Sequence, residues 1–225
     1  MAVQSTTQSE SHSEFWWRVA GLFAGLCAAL AFVLLVPQSL GGNDPKTAWY
    51  LARVTGLGAY GLFWASVVLG LLITSRTSRL WPGGPAAFDV HQFSSLAAIG
   101  LAGLHGVILL GDQFMKYSVA DILVPFASSQ YKPVWIGIGQ IAMYLGLIVS
   151  VSFYIRKRIG HTAWRAIHYL AFAVYSMVLI HGIVAGTDTG NLAVTGWYFA
   201  SGGIVLFLLF YRLMSSTKSG SPPAS

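Results

Sequence analysis

His91-Gln-Phe-Ser-Ser-Leu-Ala-Ala-Ile-Gly-Leu-Ala-Gly-Leu-His105 is a charge-free, mostly apolar stretch with a histidine at each end. Later in the chain, His168-Tyr-Leu-Ala-Phe-Ala-Val-Tyr-Ser-Met-Val-Leu-Ile-His181 is built the same way. Runs this apolar read as helices in hydrocarbon, where an ionisable side chain is costly and faces a partner or a cavity. One such histidine is compatible with simple packing. Four, confined to two segments, point to a bound group.

The rest of the chain has the same apolar character. Of its 225 residues, 55% are hydrophobic and only 9% charged, against roughly 25% charged in an ordinary soluble domain. Six apolar segments, at 15–36, 49–74, 88–110, 134–155, 164–184 and 193–211, each approach or exceed the length that crosses a hydrocarbon core at about 1.5 Å per residue. The expected fold is an all-α membrane protein: a six-transmembrane-helix bundle over 15–214, with a disordered polar tail at 1–14 and a flexible one at 215–225. The outer connection 111–133 is the longest. Its apolar portion Asp121-Ile-Leu-Val-Pro-Phe126 is too short to cross, and is expected to lie in the interface, fold over the bundle or form an ordinary loop with a short helix.

The formal net charge of +6 does not indicate nucleic acid, because the basic residues sit at the ends of apolar segments. There they set orientation and meet anionic lipid. With the N-terminus cytoplasmic, Arg18, Arg76, Arg79, Arg156, Lys157, Arg158, Arg165, Arg212 and Lys218 fall inside, and Lys46, Arg53, Lys116 and Lys132 outside. That nine-to-four bias puts both termini in the cytoplasm of a multi-pass cell (plasma or inner) membrane protein. Trp16, Trp17, Trp81, Trp164 and Tyr211 then form the inner aromatic belt, with Trp49, Tyr50, Trp135 and Trp197 outside. Cys27 is the one cysteine, which excludes an intramolecular disulfide and a Cys-x-x-Cys-His attachment site. Glu10 and Glu14 stand where a signal peptide would carry basic residues, so none is expected.

The third and fifth segments run in the same direction, so His91 and His168 lie near the inner face and His105 and His181 near the outer. Each depth-matched pair can bind one iron from opposite sides. The 14-residue spacing of the third segment covers about 21 Å, within a hydrocarbon layer about 30 Å thick, and falls about 40° short of four helical turns. The 13-residue spacing of the fifth falls about 140° short and calls for a local bulge or different approach angles. His12 belongs to the polar tail, and His161 reads as a solvated loop residue beyond the hydrocarbon edge.

These residues resemble the ferric reductase-like transmembrane family, which includes ferric-chelate reductases and the membrane part of NADPH oxidases. The resemblance runs from about residue 49 to 211 and rests on the two two-histidine segments, with Trp164-Arg165-x-x-His168, His181-Gly182 and Arg53-x-x-Gly56 in support. It implies two b-type haems (haem b), the inner on His91 and His168 and the outer on His105 and His181. It also implies electron entry from the cytoplasm and delivery to an outer-side acceptor. Arg53 would lie near the outer haem and its propionates; read alone, it is an interfacial snorkelling residue. Two departures qualify the likeness. The family's full-length reductases continue into a flavin- and nicotinamide-binding region, whereas no Gly-rich nucleotide loop occurs here. A separate cytoplasmic flavin- or NAD(P)H-dependent reductase, or a quinol, is therefore the expected donor. Oxidase members also carry a further histidine where this chain has Leu109, which argues against deliberate superoxide production. The haem-binding membrane subunit of bacterial periplasmic methionine-sulfoxide repair is a relative of this kind that works without a fused dehydrogenase.

Two other functions stay open on the residues alone: a quinol-linked cytochrome b subunit, and a metal or proton transporter using the histidines as transient ligands. The acids lie almost wholly at segment ends (Asp89, Asp112, Asp188), where a transporter would want them within the spans. In a Cys27→Ser background, a cysteine at Lys157 is expected to react with an impermeant maleimide only from the cytoplasm, and one at Lys116 only from outside. The opposite pattern would invert the inner and outer assignments.

Overall fold

A computed structural model describes residues 46–75 and 83–217. Among the described residues there are no strands and five long helices: α1 (Thr47–Thr74), α2 (Gly84–Leu109), α4 (Pro133–Tyr154), α6 (His161–Ala185) and α7 (Leu192–Thr217). Two short ones, α3 (Val119–Leu123) and α5 (Arg156–Ile159), lie in the connections. The long helices have 22 to 28 residues, or roughly 33–42 Å at 1.5 Å per residue. All five are long and apolar enough to cross a membrane. The first expected span, 15–36, lies outside the described residues, as do the tail 1–14, residues 218–225, Cys27, Arg76, Arg79 and Trp81, whereas residues 215–217 of the expected C-terminal tail continue α7 as helix.

Local chemistry sets the helix starts. Proline stands in the first turn of α2 and of α4, where a missing N–H costs nothing. Gly160, at φ +83°, lies between α5 and α6 in a backbone conformation that side-chain-bearing residues rarely adopt. That sharp turn lays α6 back along α4. Residues 156–159, expected as loop, thus form a turn of helix. In the bundle α1 packs along α2, α4 along α6, and α1 also meets α6 and α7. Tyr60, Val67, Leu71, Tyr175, Tyr198 and Val205 form the buried cluster joining α1, α6 and α7. Ala52, Leu104 and Ile108 join α1 to α2 at the outer end. Phe199, Leu206, Phe207 and Phe210 of α7 are exposed, as suits a lipid-facing surface.

The connection between α2 and α4 is mostly exposed and rests against the sides of these two helices. Ser118 and Asp121 form a capping box on α3, and the bonds from Ser118 hold the Asp121 carboxyl below its usual range. Gln140 Nε2 donates to the carbonyls of Asp121 (2.6 Å) and Ile122 (2.8 Å), and the Tyr144 hydroxyl donates to that of Leu123. These donors lie 7 and 11 residues past Pro133, about 10 and 16 Å along the helix axis. Ile122 packs against Gly106 of α2, and the Phe126 ring lies over Gly137 of α4. A helix too short to satisfy its own carbonyls thus has them met by side chains of a neighbouring span. Gln140→Leu would strand two acceptors at about 1–3 kcal/mol each. The expected result is a lower Tm in detergent, with faster amide exchange over Val119–Leu123 than over α4.

Candidate functional site

The four intramembrane histidines occupy matching depths. In α2 the inner one lies seven residues after the helix start (Gly84 to His91) and the outer one four before its end (His105 to Leu109). In α6 the offsets are the same, from His161 to His168 and from His181 to Ala185. Here "inner" denotes the end where α2 and α6 begin. His91 and His168 come together with ring centroids 6.1 Å apart and planes at 75°. Two imidazole–metal bonds in line, at roughly 2 Å each, plus the two ring radii, come to about 6 Å. His105 and His181 face each other within electrostatic reach at the outer level.

Three of the rings are held alike. His105 Nδ1 bonds the Ala52 carbonyl at 2.7 Å, His91 Nδ1 that of Ser66 at 2.7 Å, and His181 Nδ1 that of Trp135 at 2.8 Å. A carbonyl can only accept, so each Nδ1 carries the proton and each Nε2 keeps a bare lone pair for a ligand bond. Four residues beyond each acceptor stands a glycine: Gly56, Gly70 and Gly139. A helical carbonyl points toward the residue four ahead, so a ring approaching it lies where that residue's Cβ would be. A Cβ would meet the His105 ring at 3.1 Å from Gly56, the His91 ring at 3.3 Å from Gly70 and the His181 ring at 2.6 Å from Gly139. Ser66 Oγ also lies 3.0 Å from His91 Nδ1 and 2.6 Å from Ser95 Oγ.

His168 is held differently. It has no hydrogen-bonding partner among the described residues and stacks on Trp164, with centroids 5.3 Å apart and planes at 30°. Helix α6 is α-helical throughout, so no bulge absorbs its 13-residue spacing. The two histidines leave the helix in different directions instead, and His181 alone reaches an α4 carbonyl.

The inner pair, His91 and His168, itself lines a cavity of about 420 Å³, together with Ser66, Gly70, Trp164, Arg165 and Arg212. His161 differs from expectation: it begins α6, its ring lies 5.5 Å from Trp164, and it lines this cavity. The Trp164 indole Nε1 is buried without a partner among the described residues. Arg53, expected near the outer haem and its propionates, has protein partners at the outer end. It forms an ion pair with Asp188 and lies 4.1 Å over the Trp49 ring, tying α1 to the α6–α7 connection beside Ala52. The Val119–Leu123 connection, the Arg53–Asp188 pair and Tyr131 and Lys132, which donate to the Ala185 and Val184 carbonyls, lie at the outer end.

The glycine cradles had a signal in the sequence that the histidines alone did not exhaust. Gly56 and Gly70 are 14 residues apart, the spacing of His105 and His91. Comparison with family models, curated proteins and solved structures found no match.

Filling the cradles with a methyl group should destabilise in the order of the contact distances. Gly139→Ala is expected to cost the most, within the roughly 1–3 kcal/mol of core overpacking, and Gly56→Ala and Gly70→Ala less. Thermal unfolding of the three variants in one detergent checks the order.

Proposed function

We propose that this protein carries electrons across the membrane through two b-type haems, each held between one histidine of α2 and one of α6. His91 and His168 serve the inner haem, His105 and His181 the outer. One observation carries the reading: the four histidines form two depth-matched pairs, and three of their rings are fixed through Nδ1 with Nε2 left free. The donor set fits the group. Each site offers two imidazoles, short of the four ligands of a structural zinc site, and two are what a haem takes axially. Among the described residues no three His, Cys, Asp or Glu side chains converge.

Bound haem supplies one-electron iron chemistry, and the chain supplies orientation and surroundings. The α1 and α4 carbonyls fix the ligand tautomers and aim the rings, as outer-shell partners do in metal sites. Arg165 and Arg212 give the inner cavity a positive wall suited to haem carboxylates. At the outer level, Arg53 is committed to Asp188, so it acts on the site through the position of α1. Electrons would enter from a separate cytoplasmic flavin- or NAD(P)H-dependent reductase, or from a quinol, and leave to an outer-side acceptor, in the manner of ferric reductase-like proteins. Lys157 and Arg158 stay exposed for an acidic donor, whereas Arg156 lies over the Phe153 ring at 3.9 Å.

Three of the four described acids, all but Asp89, weigh against transport. Asp188 is paired with Arg53, Asp112 accepts from the backbone N–H groups of Phe114 and Met115, and Asp121 caps α3. None joins a histidine pair.

Purified protein is expected to hold two six-coordinate, low-spin haems per chain, counted by pyridine haemochrome and seen by electron paramagnetic resonance. His91→Ala should empty the inner site alone and His105→Ala the outer alone. Zinc or copper in place of haem would sink the reading.

A further inference from the structure

Helix α1 carries two docking places for histidine, Ala52 with Gly56 and Ser66 with Gly70, one α2 histidine spacing apart. Helix α4 carries one, Trp135 with Gly139. Its second would fall the same 14 residues on, at the Val149 carbonyl with residue 153 as cradle. That place is closed twice over. Ser152 Oγ already donates to the Val149 carbonyl at 2.6 Å, and residue 153 is phenylalanine, its ring 6.3 Å from Trp164. The 13-residue spacing on an unbroken α6 also turns His168 about 140° from the direction of His181. His168 therefore rests on a ring stack, which limits its plane but selects neither tautomer nor Nε2 direction. Loss of an outer-shell acceptor typically weakens a metal–histidine bond about 10–100-fold.

We propose, resting on the haem reading above, that His168 is the releasable ligand of the inner site. A small neutral π-acceptor, carbon monoxide or nitric oxide, takes its place there. The exchange breaks the bond from His168 Nε2 to iron and forms one from the diatomic carbon or nitrogen. No electron is transferred, and His168 remains a neutral imidazole. The outer pair has both Nδ1 atoms anchored and stays closed. The inner site is thus a ligand-binding site as well as a carrier.

Holoprotein in detergent, reduced with dithionite and titrated with carbon monoxide, tests this by Soret difference spectra and flash photolysis. One carbon monoxide per two haems is expected. Trp164→Leu should raise the association rate about tenfold or more by removing the stack, whereas Trp164→Phe, which keeps a ring, should stay close to the native rate. Where Trp164→Leu does not fold, the double variant His105→Ala/His181→Ala, stripped of the outer haem, should still bind carbon monoxide at the native rate. Two haems with no adduct, an adduct whose rate Trp164→Leu leaves unchanged, or loss of the adduct in the double variant would overturn the assignment. A preparation free of haem would overturn the function proposed above instead.

Discussion

A histidine ring that donates from Nδ1 to a helical carbonyl, seated over a glycine four residues ahead, is the contact on which this architecture depends. It does three things at once. It satisfies a polar N–H in surroundings without water, it sets the tautomer, and it requires the neighbouring backbone to come close. Glycine is what permits that approach, as at small-residue contacts between membrane helices generally. The α1–α2 pair is built on two such contacts and the α4–α6 pair on one. The helix pairs and the ligand geometry are therefore one construction: moving the helices would unseat the rings.

The two ends of the bundle are finished differently. At the outer end several contacts tie the elements down: the Val119–Leu123 connection is hydrogen-bonded to α4, Arg53 pairs with Asp188, and Tyr131 and Lys132 meet the last carbonyls of α6. These are the polar groups that hydrocarbon leaves without water, and each is met by protein. At the inner end the described residues line a cavity with Arg165 and Arg212 and hold His168 against the Trp164 ring. Against a transport pathway stands the commitment of the outer acids to structural bonds away from the histidines.

Much of this was legible in the residues. Spans are local facts: about twenty apolar residues must become a helix in a bilayer, since no other backbone arrangement satisfies itself there. Five of the expected segments have their helix within a few residues of the expected bounds. The partition of the histidines by depth was equally local, because helical rise converts sequence position into height. Arg53-x-x-Gly56 was visible as a motif, though its meaning was not: the glycine seats His105, and the arginine serves Asp188.

By itself, the sequence determined an all-helical membrane chain with four histidines at two levels on two helices. The tertiary structure decided which backbone carbonyls hold three of them, that His168 has none among the described residues, that residues 118–123 are bonded to the side of α4, and that His161 belongs to a cavity wall. The physical reason is that every residue carries the same carbonyl. Which one becomes an acceptor depends on the register between two packed helices, to which distant residues contribute jointly. Hydrophobicity and rise can be read residue by residue, whereas register exists only once the helices meet.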